Sequence, residues 1–158
     1  MVQRVSRAEV RVGAETVARI GRGLCLLVGV GQGDDASLAS KLAAKVWNLR
    51  ILPDNQGGGG PTGMMERSLA QAGGEVLVVS QFTLYGDTSR GRRPSWTQAA
   101  PAEEAKSMVD SFCHELRALG ASVQVGRFGA HMEVELVNDG PVTILLEETK
   151  QDPESMSA

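Results

Sequence analysis

Two short and almost continuously apolar runs constrain this chain more than any other feature. Residues 24–30 and residues 76–79 contain no charged side chain, and both runs are too short for a typical helix. We therefore expect two strands that are buried on both faces. The chain must cover each face of the central sheet with apolar residues from other elements.

Two amphipathic helices are predicted around these strands. The first begins after a capping Asp34 or Asp35 and runs to about residue 49, because apolar residues recur there at helical spacing. The second begins at Pro101 and ends at Gly120. Their apolar stripes are formed by Leu38, Leu42, Val46 and Leu49 in the first helix, and by Ala105, Met108, Phe112, Leu116 and Leu119 in the second.

The remaining apolar segments are predicted to be strands. They form a hairpin over residues 2–12 and 16–20, a strand over 75–82, a short strand over 122–125, and two C-terminal strands over 132–136 and 142–146. Strands outnumber helices without a βαβ repeat, which predicts a single α+β domain over residues 1–149. Its sheet should be mixed or antiparallel and barrel-like, with two main helices packed on it. Residues 150–158 are predicted to be a disordered tail.

Composition excludes several classes of function. The net charge of −3 argues against a broad basic surface for nucleic acid, so any RNA contact should be local. His114 and His131 have no metal-ligand spacing, and the glycines at 57–60 lack the Lys-Ser/Thr of a phosphate loop, so no metal or other cofactor is expected. Cys25 and Cys113 lack a CxxC spacing, and no apolar run reaches membrane-spanning length, which favours reduced, buried thiols in a cytoplasmic protein without a membrane anchor.

Two segments carry the candidate chemistry. The strand-end segment, Ser80-Gln81-Phe82-Thr83-Leu84, lies where a buried strand leaves the core. The Gly-Pro segment, Asn138-Asp139-Gly140-Pro141-Val142-Thr143, interrupts two apolar-rich runs. Proline removes a backbone donor there, so the Gly140 carbonyl can be aimed at a ligand rather than paired in a sheet. Together the segments indicate a site built largely from main-chain groups.

Neither segment supplies a general base next to its candidate nucleophile. Thr83 is the best candidate nucleophile, but a threonine hydroxyl needs an adjacent base to react, and neither segment supplies one. The amides of Phe82 and Thr83 are candidates for stabilising an oxyanion, a contribution worth roughly 10²–10³ in rate per donor.

A long predicted loop over residues 85–100 contains three arginines, Arg90, Arg92 and Arg93, next to Pro94 and Trp96. One interpretation is a solvated basic loop. The other is a local tRNA contact, which its position directly after the strand-end segment favours.

The two segments resemble the signature motifs of the D-aminoacyl-tRNA deacylases, in the same order and at a similar separation. Shorter matches extend over most of the chain. They are Gln3-Arg4-Val5, Gln71-Ala72-Gly73-Gly74, Arg90-Gly91 with Arg93-Pro94-Ser95, and Gly126-Arg127-Phe128-Gly129-Ala130.

This resemblance implies an esterase that removes a D-amino acid, or glycine, from the 3′-terminal adenosine of a charged tRNA as a proofreading step in translation. It also implies a homodimer in which a cis Gly140-Pro141 corner of one subunit enters the other subunit's pocket and rejects L side chains. The RNA 2′-hydroxyl would assist hydrolysis in place of a protein base.

The resemblance also assigns roles to individual residues. Phe82, Thr83 and Gln81 form the catalytic group. Ser80, with Gln81 and Phe82, lines the adenosine pocket, to which Phe128 and Met132 are further candidates, and Arg4 braces Gly140-Pro141. The sequence departs from the family pattern at Met64-Met65-Glu66, where Lys-Met-Asn is common, and at His131, where Asp or Asn is usual.

Two other functions remain open at this level. A non-catalytic tRNA-binding module would release an amino acid from neither D- nor L-aminoacyl-tRNA. A conventional Ser/Thr hydrolase would cleave simple aryl esters and react with serine-directed reagents.

Overall fold

A computed structural model describes residues 1–54 and 65–150, and it shows a barrel-like mixed sheet with helices packed on its outer face. The expected α+β class is confirmed. The glycines at 57–60, Met64 and residues 151–158 lie outside the described residues. The elements are β1 (Val2–Val12), β2 (Glu15–Ile20), β3 (Gly23–Val28), α1 (Ala36–Asn48), α2 (Leu69–Ala72), β4 (Glu75–Ser80), a 3₁₀ helix (Phe82–Tyr85), α3 (Ala102–Ala118), β5 (Ser122–Val125) and β6 (Glu133–Ile144).

The long first strand organises the sheet. β1 pairs antiparallel with β2, β3 and β6, while β3, β4 and β5 pair in parallel. A strand has only two edges and β6 pairs along most of β1, so β2 and β3 must share the opposite edge. β3 takes residues 2–5 of β1 and β2 takes residues 8–12. Because β2 also contacts β4 and β5, the sheet curls almost closed.

The central strands β3 and β4 are buried on both faces, as their apolar sequences predicted. Alternate side chains such as Leu24 and Val76 face the helices, whereas Cys25 and Leu77 face the interior of the barrel. At the start of β3 the two backbones approach so closely that a Cβ on Gly23 would lie 1.8 Å from the Glu75 carbonyl oxygen. Only glycine fits at this point.

Helices α1 and α3 pack against each other and cover the outer face of the sheet. Asp35 caps α1, since its carboxylate accepts a hydrogen bond from the Ser37 amide at 2.9 Å. Among residues 1–54 and 65–150, no helix is long and apolar enough to cross a membrane.

Three details differ from the sequence-based expectation. β4 ends at Ser80 rather than at residue 82, because the chain turns there into the 3₁₀ helix. The four-residue helix α2 was not anticipated. The two expected C-terminal strands are one strand, β6, which contains the Gly-Pro segment as an irregularity in its pairing with β1.

Candidate functional site

The strand-end segment begins at the end of β4, where the ladder with β3 closes. Ser80 pairs with Val28, and the Gln81 amide donates to the Val28 carbonyl at 2.7 Å. The 3₁₀ helix then starts at Phe82, and the first amides of a helix have no carbonyl partner inside it. The Phe82 and Thr83 amides make no hydrogen bond to any other residue that the structure describes. Two neighbouring donors are therefore left available to a ligand.

The side chains of this segment are exposed or half-buried. Phe82 is 56% exposed, Thr83 is also exposed, and Gln81 and Ser80 are half-buried. The Gln81 side-chain amide donates to the Thr83 hydroxyl oxygen. An amide cannot accept the hydroxyl proton as a base would, so the geometry does not activate Thr83 as a nucleophile.

The Gly-Pro segment forms a bulge in β6 opposite Arg4. Gln3 pairs with Thr143 and Val5 pairs with Asn138, so four residues of β6 lie opposite the single residue Arg4. Gly140 and Pro141 are thereby outside the ladder of paired residues. The Gly140-Pro141 bond is cis in the structure, and Gly140 has a φ of 130°.

The buried guanidinium of Arg4 is hydrogen-bonded to this bulge. Arg4 is only 1% exposed. Its Nε donates to the Asp139 carbonyl at 2.9 Å, and its Nη1 donates to the Ile51 carbonyl at 2.8 Å. Gly140 lies directly against the same group, since a Cβ there would be 2.7 Å from Nη2. The hydrogen bond to Ile51 connects the bulge to the segment that follows α1.

Sequence reasoning missed a polar network that joins the two ends of the bulge. The Gln3 side-chain oxygen accepts hydrogen bonds from Asn138 Nδ2 at 2.6 Å and from Thr143 Oγ1 at 2.7 Å. Asn138 Oδ1 also accepts from the Val142 amide at 3.1 Å. The presence of Gln3 beside Arg4 was the available signal, but only the strand register places it between Asn138 and Thr143.

The structure does not bring the two segments together within one chain. Three strand spacings separate β4 from β6, since β3 and β1 lie between them. That separation is about 14 Å across the sheet at 4.7–4.9 Å per strand. Along the strands, Ser80 lies at the level of Val28 and the bulge at the level of Leu24, a further offset of about 13 Å at roughly 3.3 Å per residue. The two segments therefore lie well apart within one chain.

Phe128 and Met132 lie in the connection between β5 and β6, at the end of the sheet where β4 stops. The Gly126 amide donates to the Val78 carbonyl at 2.9 Å, which fixes the start of this connection beside β4. Phe128 is half-buried. Met132 packs against the cluster inside the barrel, and a Cβ on Gly126 would be 2.8 Å from its sulfur. Met132 is thus partly a core residue.

The arginine loop follows the 3₁₀ helix and is exposed. Arg90, Arg92 and Arg93 all face solvent, and the loop is closed by a bridge between Asp87 and Ser95. Trp96, at the base of the loop, contacts Phe82 with 5.8 Å between ring centroids. The structure therefore places the loop next to the strand-end segment.

Other reactive groups are poorly suited to catalysis. Burial raises the pKa of the Cys25 thiol and of the Cys113 thiol to about 11, so both are protonated at neutral pH. In the described part of the chain, no group of three or more His, Cys, Asp or Glu residues could hold a metal ion.

An apolar cavity of about 420 Å³ lies behind the strand-end segment, between the end of β3 and the helices α1 and α3. Leu84 and Tyr85 line it, but Phe82, Thr83 and the bulge do not. Burial, together with the charge of Asp34, raises the pKa of Tyr85. The cavity is separate from the exposed amides of Phe82 and Thr83, which are the hydrogen-bond donors available to a ligand.

The chain matches known proteins over almost its whole length. A family model described as D-Tyr-tRNA(Tyr) deacylase matches residues 1–147. A D-aminoacyl-tRNA deacylase from Roseiflexus sp. (strain RS-1) is 58% identical over 147 residues, covering 93% of this chain and 91% of that protein. Another, from Symbiobacterium thermophilum, is 54% identical over 150 residues, covering 95% of each chain. A solved structure described as c-Myc DNA Unwinding Element Binding Protein is 39% identical with a TM-score of 0.85, covering 94% of this chain and 97% of that one.

Proposed function

This chain belongs to the D-Tyr-tRNA(Tyr) deacylase family, and we propose that it removes D-amino acids from tRNA by hydrolysis assisted by the RNA itself. It is a hydrolase acting on ester bonds, a D-aminoacyl-tRNA deacylase. In this proposal the reaction proofreads charged tRNA in the cytoplasm. Glycine esterified to tRNA is also a substrate.

The observation that carries the mechanism is the pair of unpaired amides at Phe82 and Thr83. In the proposed reaction, water attacks the ester carbonyl carbon, and the resulting oxyanion accepts hydrogen bonds from these two amides. The bond from carbon to the ribose 3′-oxygen then breaks, and the 3′-oxygen takes a proton. The neighbouring 2′-hydroxyl orients the attacking water and relays the proton that this water loses to the 3′-oxygen, so the reaction needs no protein base.

The Gly140-Pro141 corner is proposed to select the D configuration. Arg4 and the Gln3 network hold the corner in one geometry. A rigid backbone can face the substrate's α-amino group with carbonyls and leave no space on the side where an L side chain would project. Such a filter acts on the configuration at Cα alone, so it accepts many D side chains.

We propose that the site is completed by a second copy of the chain. The separation between the strand-end segment and the bulge within one chain supports this, because a single substrate α-carbon cannot touch both. In a homodimer, the Gly140-Pro141 corner of one subunit enters beside the strand end of the other. Ser80, Gln81 and Phe82, with Phe128 and Met132 from the adjoining connection, then enclose the terminal adenosine.

The paired hydrolysis of D-tyrosyl-tRNA and L-tyrosyl-tRNA tests the reaction and its selectivity together. We expect rapid release of D-tyrosine and little release of L-tyrosine. Release from neither substrate, with tRNA still bound, would favour a non-catalytic tRNA-binding module. Cleavage of simple aryl esters with labelling by serine-directed reagents would favour a conventional Ser/Thr hydrolase.

Subunit mixing tests the shared site. Chains carrying Gly140→Ala and chains carrying Phe82→Pro are co-expressed with different affinity tags, and the mixed dimer is purified through both tags. A site shared between subunits has one intact copy in the mixed dimer, so activity returns to about half of wild type per dimer. If each site were contained in one chain, both sites would carry a lesion and no activity would return. Sedimentation of the wild-type protein at micromolar concentration measures dimerisation independently.

A further inference from the structure

The arginine loop is a structured element held at both ends. The Asp87 amide donates to the Ser95 carbonyl at 2.8 Å, and the Ser95 amide donates back to the Asp87 carbonyl at 2.9 Å. The returning chain is anchored to the segment after β3, since Gln32 donates to the Gln98 carbonyl and Ala100 donates to the Val30 carbonyl. The loop therefore presents its side chains from a defined base.

The three loop arginines differ from the other arginines of the chain. Within residues 1–54 and 65–150, Arg90, Arg92 and Arg93 have no hydrogen bond or ion pair, whereas every other arginine has at least one. Asp87, the one acidic residue between positions 85 and 100, has its Oδ1 occupied by the Ser89 amide at 2.8 Å. Three unneutralised positive charges within four residues favour an anion, and a guanidinium is well matched to phosphate.

An exposed aromatic pair lies beside these charges. Phe82 is 56% exposed and Trp96 is 40% exposed, and their rings meet edge to face at an interplanar angle of 67°. The edge-to-face arrangement leaves ring surface of the pair open to solvent. Nucleobases stack on such surfaces with little dependence on sequence.

We propose that Trp96 and the arginine loop bind the single-stranded nucleotides immediately 5′ of the terminal adenosine, with Trp96 stacking on a base and the arginines contacting phosphates. This inference rests on the proposed function, because the Phe82 amide marks where the terminal ester lies. The Phe82 ring connects that point to Trp96. The strand leaving the ester therefore passes Trp96 first and the arginines next. RNA is the occupant favoured over a protein partner, because aromatic and phosphate-binding groups occur here side by side.

Two substrates separate this surface from the terminal pocket. D-tyrosyl-tRNA carries the upstream nucleotides and phosphates, whereas D-tyrosyl-adenosine lacks all of them. For Trp96→Ala, we expect kcat/KM on D-tyrosyl-tRNA to fall about 5- to 50-fold, mainly through KM, as expected for one lost stacking contact. Trp96→Phe keeps an aromatic ring and should recover most of this loss. The loss on D-tyrosyl-adenosine should be at least about fivefold smaller than the loss on the tRNA substrate.

The charge is tested by the triple variant Arg90→Gln, Arg92→Gln and Arg93→Gln. Its activity on D-tyrosyl-tRNA should depend less steeply on salt, with the slope of log kcat/KM against log salt reduced by about 2, at roughly 0.7 per phosphate contact on a single strand. The matched control removes three charges from helices α1 and α3 through Lys41→Gln, Lys106→Gln and Arg117→Gln. This control should leave the salt dependence of kcat/KM unchanged.

Equal losses on both substrates, or no loss on either, would overturn this inference. If wild-type protein cleaves neither substrate, the proposed function fails. Binding of uncharged tRNA then tests separately whether Trp96 and the arginine loop contact RNA. Weaker binding by the Trp96→Ala and triple-arginine variants, but not by the helical control, would support it. Unchanged binding in all variants would overturn it and leave the patch for a protein partner.

Discussion

The Arg4 guanidinium occupies the space that a side chain on Gly140 would need. A Cβ built on Gly140 comes within 2.7 Å of Arg4 Nη2, while Arg4 Nε donates to the carbonyl of the preceding residue, Asp139. A strand near the N-terminus thus determines the shape of a corner near the C-terminus.

Gly140→Ala should abolish most deacylation of D-tyrosyl-tRNA and lower the melting temperature. The added methyl meets Arg4 at 2.7 Å and Val142 Cγ2 at 2.8 Å, and the φ of 130° is unfavourable for alanine. Gly13→Ala is the matched control, because Gly13 also has a positive φ, 60°, but open space around it. A Gly140→Ala variant as active as Gly13→Ala would contradict the filter.

Arg4→Met should lower the free energy of unfolding by about 2–6 kcal/mol, because the Asp139 and Ile51 carbonyls lose buried donors at roughly 1–3 kcal/mol each. Arg7→Met on the same strand should cost less than about 1 kcal/mol, since its ion pair with Glu135 is exposed. Urea unfolding measures both values. Discrimination between D- and L-tyrosyl-tRNA should fall only in the Arg4 variant. Equal stability losses would show that the buried contacts have no special weight.

Phe82→Pro should lower kcat about 10²–10³-fold relative to Phe82→Ala, because both variants lose the ring but only proline loses the amide donor. Proline suits residue 82, because this is the first residue of the 3₁₀ helix and Gln81 before it is non-helical, at φ −143° and ψ 78°. Single-turnover hydrolysis of D-tyrosyl-tRNA gives the ratio. Similar rates in the two variants would remove this amide from the mechanism.

Thr83→Ala should retain activity within about tenfold of wild type, because among the described residues the hydroxyl is hydrogen-bonded only to the Gln81 side chain and no general base activates it. Circular dichroism confirms the fold, and Thr88→Ala in the nearby loop serves as the control. Near-total loss of activity in a folded Thr83→Ala protein would point to a direct nucleophile instead.

Because of Cys25, the free energy of unfolding should fall as the pH rises above about 9. Burial raises the pKa of its thiol from 9.0 to about 11 in the folded state. The unfolded chain therefore releases this proton first, so the stabilisation is present below pH 9 and is lost as the pH rises toward 11. Cys25→Val keeps the packing and removes the titrating group. Urea unfolding at pH 8 and pH 10 should show a smaller stability difference for the variant than for wild type.

Local patterns in the sequence predicted most of the elements correctly. Apolar alternation identified the strands, and helical spacing with the Asp35 cap identified α1, because these signals come from residues close together in the chain. The same reasoning placed the end of β4 two residues too late. At that turn Phe82 contacts Trp96, which lies 14 residues later, and such a contact is not visible in local sequence spacing.

The sequence by itself determined the class of fold and the positions of the two motif segments, since residue type and spacing encode both. Only the tertiary structure decided that four residues of β6 bulge opposite Arg4 and that the two segments are far apart in space within one chain. It also decided that three arginines remain unpaired beside an aromatic pair. These features depend on strand register and on contacts between distant residues, which the spacing of residues along the chain does not specify.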